Sequence, residues 1–283
     1  MGTLMDNNLF KDLYPRSFVY DLEYTGVPNN LDRCYIWQIG IVHLQSNSKF
    51  TITIDPGIRP LPPPMSSEFI RVTELLLIQQ RAVCFEQAWD MCHQWINMFG
   101  EGSKLLISHN NFKSDKLMLE IECKRRNLLL PYNWYFFDSL LFCRKAIPKQ
   151  NSYTLKDLYK KFKGVDIPNN HTALPDAVAL VELLNIIGFH NISGPIYPSH
   201  CTSLQIVKWL GPACEKMLFS KGINSLEQLI ANIISKYSIR NLGSHLDLNT
   251  FVEDYISRTC GILTGNSKSI SESILTRWLP TTV

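Results

Sequence analysis

Residues 18–26, Phe18-Val19-Tyr20-Asp21-Leu22-Glu23-Tyr24-Thr25-Gly26, constrain the fold more than any other stretch of this chain. An apolar, β-prone run ends in two acids and a turn, which reads as a buried strand that delivers charge at its exit. Side chains at i and i+2 of a strand share a face, so Asp21 and Glu23 project side by side while Leu22 points the other way into the core. Two carboxylates that close repel one another. Both stay ionised readily only where positive charge stands between them; a divalent metal ion is one solution, a solvated strand end the plainer one.

With 283 residues the chain has room for one large or two ordinary domains, each with its own core. A hydrophobic share of 45% and a charged share of 19% fit a soluble globular protein. No apolar run approaches the roughly 20 residues that cross a bilayer, and the first residues carry no signal-peptide pattern. The expectation is an intracellular protein, cytoplasmic or nuclear and not secreted, with no membrane partner. Eight cysteines stand without a C-x-x-C pair, which favours reduced core thiols over a zinc site or a disulfide framework. A formal charge of +3 permits a polyanionic partner without demanding one.

After the acidic strand, residues 35–44 and 49–54 are rich in β-branched and aromatic side chains, with a polar turn between them, so a three-strand meander is expected. The prolines of residues 59–64 cannot join a sheet interior and read as a surface connector. Helical spacing of Phe85, Ala88, Trp89, Cys92, Ile96 and Phe99 then predicts a helix ending near Gly100. Further on come a buried strand at 105–108, a helix at 115–126, a strand at 135–138 running into a helix at 139–144, and an amphipathic helix at 154–163. Residues 178–187 are apolar and helical, with Pro175 in the first turn, Asp176 near the helix start and His171 just upstream. Helices alternating with buried strands after a meander argue for an α/β fold with a mixed sheet. Residues 188–199 read as a linker, followed by short helices at 203–209, 212–220 and 225–234, with Gly222 as a cap and Ser225 and Gln228 as a capping box. The Ser- and Thr-rich end, from about 261, reads as only partly ordered.

Asp21, Glu23, Asp115, His171 and Asp176 thus stand at the exits or starts of core elements. Three segments carry them: Asp21-Leu22-Glu23-Tyr24-Thr25-Gly26, Ser108-His109-Asn110-Asn111-Phe112-Lys113-Ser114-Asp115 and His171-Thr172-Ala173-Leu174-Pro175-Asp176-Ala177. Together they resemble the three motifs of the DEDDh 3′-to-5′ exonucleases, a superfamily with a ribonuclease-H-like fold, and the flavour is that of the three-prime repair exonucleases. Trp37-Gln38-Ile39-Gly40 and Phe137-Asp138-Ser139-Leu140 also resemble the family between motifs.

The resemblance covers roughly residues 16–190 and not the C-terminal third, and implies an exonuclease domain there with a mixed sheet flanked by helices; around it the residues themselves read as a flexible N-terminal tail over 1–15 and a small all-α domain over 191–283. It implies release of nucleoside 5′-monophosphates from DNA 3′ ends, in replication or repair, by two-metal hydrolysis. Asp21, Glu23, Asp115 and Asp176 would hold two Mg²⁺ or Mn²⁺ ions, and His171 would act as general base. By position Tyr24, Thr25, Gly26, Val27, His109 and Asn110 match substrate-contacting residues, and Tyr24 is larger than the residue often found there. Basic residues from Lys113 to Lys163, among them Lys116, Arg125, Arg126, Lys160 and Lys163, could line the path of a single-stranded or frayed end. Residues 203–234 faintly resemble a helix-hairpin-helix unit, with Trp209 in place of its first glycine, so that segment serves nucleic acid, a protein partner or packing alone. The same chemistry on RNA is the alternative, because 2′-hydroxyl discrimination rests on local geometry. A non-enzymatic binding or scaffold role stands behind both, since no metal-binding acid is missing.

Overall fold

The computed structural model describes residues 7–25, 33–58, 75, 77–79, 81–169, 171–189, 196–199, 204, 207, 209–241, 247–261 and 264–278. It divides into a larger unit, Leu4–Ser199, and a smaller one that includes His200–Val283. In the larger unit the period-2 alternation of β1 (Ser17–Tyr24) sets the layers. Val19 points into one apolar cluster, while Phe18 and Tyr20 meet aromatic rings on the opposite face.

β1 pairs antiparallel with β2 (Ile36–His43), which pairs antiparallel with β3 (Lys49–Thr53), giving the expected meander. On its other side β1 runs parallel to β4 (Lys104–Ser108), and β4 parallel to β5 (Trp134–Asp138). β2 and β4 are buried throughout, as the strands flanking β1 must be, whereas the edge strand β3 leaves Lys49 and Thr51 exposed. A sixth strand, β6 (Ile196–Pro198), closes the order β3-β2-β1-β4-β5-β6 by pairing antiparallel with β5. The linker expected over 188–199 therefore ends in a strand. It is short and contains a proline that only a sheet edge tolerates, which hides it from pattern reading.

The Val19 face is covered by α1 (Asn7–Leu13), α4 (Ser139–Ala146), α5 (Leu155–Lys163) and α6 (Ala173–Ile186), which contribute Phe10, Leu13, Phe142, Leu158, Leu180 and Leu183 to one cluster. The Phe18 face is covered by α2 (Phe85–Asn97) and α3 (Asp115–Arg125), through Trp95 against Phe18 and Lys116 over the Phe136 ring. Residues 7–13, expected within a flexible tail, are a correction. Phe10 and Leu13 are buried, and Phe10 meets the Phe189 ring edge-on at 5.6 Å, so burial of two large apolar side chains fixes that segment as a helix. The prolines at 59–64 lie outside the described residues.

The smaller unit consists, among its described residues, of helices α7 (Pro212–Ser220), α8 (Leu226–Asn241), α9 (Leu248–Cys260) and α10 (Thr264–Trp278). Gln228 N–H donates to Ser225 Oγ, and its side-chain oxygen accepts from Asn224 N–H, one residue earlier than in a standard capping box. Within the Ser- and Thr-rich end, Thr264–Trp278 is a helix, while residues 262–263 and 279–283 lie outside the described residues. Ser267, Ile270, Ser271 and Ile274 fall at helical spacing and are all buried, because small serines let that face pack closely. Trp209 is 65% exposed with a φ of 70°, a left-handed backbone that glycine would adopt more easily. The remainder of the helix expected over 203–209 lies largely outside the described residues.

Candidate active site

Asp21 and Glu23 share the face of β1 that carries Val19. Across the ladder Asp21 stands opposite Gly40 and Glu23 opposite Gln38. The first turn of α6 rests against that pair of positions, and Gln38 Oε1 accepts the Ala173 N–H at 2.8 Å. Asp176 is thereby brought to the strand acids: ligand oxygens of Asp21, Glu23 and Asp176 lie within 4.8 Å of one another. Asp176 Oδ2 accepts the His171 backbone N–H at 3.2 Å, while its Oδ1 is shielded from solvent and has no hydrogen-bond partner among the described residues.

Asp115 arrives from the start of α3 and is 3% exposed. Its Oδ1 accepts the N–H of Leu22, the residue between the two strand acids, at 3.1 Å. It lies outside the three-acid group yet adds to the charge that Asp21 feels. Burial raises the pKa of all four acids. Asp21 is held well above the ordinary range, first by desolvation and then by Asp115, Glu23 and Asp176. Glu23 is pushed up to about 8 by burial and by Asp176 and Asp115, and Asp115 to about 7 by burial against the opposing Leu22 hydrogen bond. Asp176 is raised by burial, against the His171 N–H. An orphaned, shielded carboxylate oxygen facing two further acids fits a hard divalent cation, which takes oxygen ligands and removes the repulsion.

His171 stands exposed on the loop before α6, with a φ of 69° in the left-handed region. Its backbone N–H on Asp176 ties the two together.

The second predicted segment is organised by a residue that sequence reading quoted only as context. Asp138, at the end of β5, accepts backbone N–H groups of Asn110 at 3.0 Å, Phe112 at 3.4 Å and Leu140 at 2.9 Å. Burial lifts it to about 6 against those bonds. Asn111 is fully buried, donates to Phe137 O and accepts from the Tyr20 hydroxyl and the Lys116 N–H. These bonds hold the loop that aims Asp115. An Asp opening a helix after a strand is a recognisable N-cap, which is the signal available for Asp138; Asn111 carries none.

Of the expected substrate contacts, Gly26 and Val27 lie outside the described residues. Tyr24 is half-buried, its hydroxyl 3.0 Å from Ser114 Oγ, and burial pushes it up to about 12. Thr25 is fully buried; its N–H donates to Tyr35 O, and its hydroxyl accepts from Tyr35 N–H. His109 has Nε2 at 2.7 Å from Tyr153 O and Nδ1 at 3.0 Å from Ser139 Oγ, and burial holds it down to about 4. A neutral ring with both nitrogens engaged braces the loop. Asn110 is half-buried with a φ of 63°.

Several of the basic residues are engaged within the fold: Lys116 is buried against Glu120, Arg126 pairs with Glu122 and Glu86, Lys160 with Asp166, and Lys163 with Glu182. No disulfide joins the cysteines among the described residues. No helix among the described residues is long and apolar enough to cross a membrane.

A mixed sheet flanked by helices, with carboxylates gathered where β1 meets the first turn of α6, is an α/β fold with a candidate cation site at the exit of β1. The sequence profile of the exonuclease family (RNase_T) matches residues 18–184, and the chain belongs to that family. The carboxylate cluster accords with the divalent-metal dependence of that family. A search of curated proteins finds no significant match. Among solved structures, a 3′-exonuclease described in 3′-end specific recognition of a histone mRNA stem-loop is 15% identical, with 63% of this chain and 65% of that chain covered and a TM-score of 0.50. The nuclease domain of 3′hExo, a DEDDh family member bound to rAMP, is 16% identical over 63% of this chain and 95% of that one, at a TM-score of 0.49. Cell-death related nuclease 4 is 15% identical over 62% and 64%, at 0.46. At 15% identity the likeness to the histone mRNA 3′-exonuclease is one of fold.

Proposed function

We propose that this chain removes nucleoside 5′-monophosphates from DNA 3′ ends, with Asp21, Glu23, Asp115 and Asp176 holding two Mg²⁺ or Mn²⁺ ions. The observation that carries the reading is the shielded, unpartnered Asp176 Oδ1 within reach of Asp21 and Glu23. Bound ions would neutralise the acids and the scissile phosphate and stabilise charge on the attacking and leaving oxygens.

The chain's own groups do the rest. An imidazole nitrogen of His171 takes the proton of the attacking water; the residue is exposed, and its backbone N–H bond to Asp176 holds its main chain beside that acid. Asp115, tied to the Leu22 N–H, stands beside the strand acids without rotating away. Tyr24 and Asn110 are the assigned contacts to the terminal nucleotide, while Thr25 and His109 support the backbone. Lysines with no ion pair among the described residues, such as Lys113, contribute to binding the incoming strand. The smaller unit is assigned as a separate helical domain, a second contact for nucleic acid or for a protein partner.

RNA is the second substrate reading, supported by the structurally similar 3′-exonuclease whose ligand is a histone mRNA stem-loop. Side-by-side digestion of labelled DNA and RNA oligonucleotides of matched sequence, with Mg²⁺ or Mn²⁺ and with chelator, tests both. Faster mononucleotide release from DNA supports the first reading, faster release from RNA replaces it with the second, and loss of neither strand sinks the assignment of the site.

A further inference from the structure

Helix α6 must come very close to β1 for Asp176 to meet two strand acids, and the residues that permit the approach lie on neither element. On the face that carries Asp21 and Glu23, their cross-strand partners are Gly40 and Gln38. A Cβ on Gly40 would lie 2.4 Å from Ala173 C and 2.4 Å from Leu174 N, so the backbone of the first turn of α6 occupies the space of a side chain. The next position on that face, Gln38, is 6% exposed, and its Oε1 accepts the Ala173 N–H. That N–H is one of the helix-start donors without an intrahelical acceptor, and Thr172 at the N-cap makes no side-chain capping bond. The cap is therefore supplied from 135 residues away in sequence, by the strand on which the metal acids' partners lie.

We infer that Gln38 is a positioning residue for the metal site: its amide oxygen seats the first turn of α6 over Gly40 and so sets where Asp176 and the His171 loop meet Asp21 and Glu23. The inference rests on the proposed role of Asp176 and extends it to a side chain that touches no reacting atom. The requirement at position 38 is for an acceptor of this length, since the donor it serves is a buried backbone N–H. A carboxylate meets that requirement, an apolar isostere does not.

The test is Mn²⁺ titration calorimetry on the full chain, with the rate of mononucleotide release measured alongside, for Gln38→Met, Gln38→Glu and Asp176→Ala. Gln38→Met is expected to weaken Mn²⁺ binding by about 10- to 100-fold and to lower kcat more than it raises KM, as loss of an orienting partner does at metal sites. Gln38→Glu restores most of both. Mn²⁺ affinity unchanged in Gln38→Met, or equal loss in Gln38→Met and Gln38→Glu, overturns the inference. Unchanged affinity in Asp176→Ala instead overturns the metal-site reading, whatever the Gln38 variants do. Should Gln38→Met not fold, Gln38→Asn, whose oxygen is drawn back by one methylene, takes its place with the same expectations.

Discussion

Two regions of this molecule bury polar groups at the ends of adjacent parallel strands and treat them oppositely. At the exit of β4 and β5, Asp138, Asn111 and His109 are met by backbone N–H and C=O groups, and the loop they organise is complete in itself. At the exit of β1, Asp21, Glu23 and Asp176 face one another, and one shielded carboxylate oxygen has no partner among the described residues. Satisfied buried polar groups belong to the fold, while clustered acids without compensation call for a ligand that supplies the missing charge. The contrast separates residues of equal polarity by what surrounds them.

The comparison breaks most sharply at Asp176. Asp176→Ala should cut mononucleotide release on the order of 10²–10³-fold while the thermal midpoint stays level or rises, because removing one acid relieves repulsion. A nuclease assay beside a melting curve checks both halves. On the satisfied side the sign of the stability effect reverses. Asp138→Ala leaves buried N–H groups of Asn110, Phe112 and Leu140 unpaired and should cost about 2–3 kcal/mol in denaturant unfolding, with activity falling because Asp115 loses its support.

The acids also set a pH dependence. Glu23 at about 8 and Asp115 at about 7 hold protons in the folded state that an unfolded carboxylate releases near 4. The folded form then binds more protons across that window, so stability falls as pH rises through it. Metal-free protein should lose several degrees of thermal midpoint between about pH 5 and about pH 9, and added Mn²⁺ should restore more at the upper end than at the lower. A midpoint that climbs with pH would contradict the burial of the acids. The smallest effect belongs to the surface: Lys160→Ala, which removes an exposed pair with Asp166, should change unfolding free energy by no more than about 0.5 kcal/mol.

What could be read from the sequence follows the same division. Acids at the exits of β-prone runs stand out because charge interrupts an apolar pattern, so Asp21, Glu23, Asp115 and Asp176 were visible, and with them the mixed sheet. The supports were not. Gln38 and Gly40 act through cross-strand register and the approach of a helix 135 residues away, and neither appears in local spacing. Thr25 and His109 matched substrate contacts by position, and only tertiary neighbours reveal that their polar atoms are engaged inside the chain. Lys116 looked like part of a basic surface and is buried against Glu120. Residues 7–13 and the serine-rich α10 carried too few apolar residues to declare a helix, yet Phe10, Leu13, Ile270 and Ile274 are each buried.

The central claim is that burial raises the pKa of Asp21, Glu23, Asp115 and Asp176, with Glu23 pushed up to about 8 and Asp115 to about 7, so that a divalent ion bound there would displace protons. Titration of Mn²⁺ into the full chain near pH 7, in buffers of differing ionisation enthalpy, measures the protons released on binding. The account predicts net release that shrinks in Glu23→Gln. Binding without proton release, unchanged by that substitution, would contradict it.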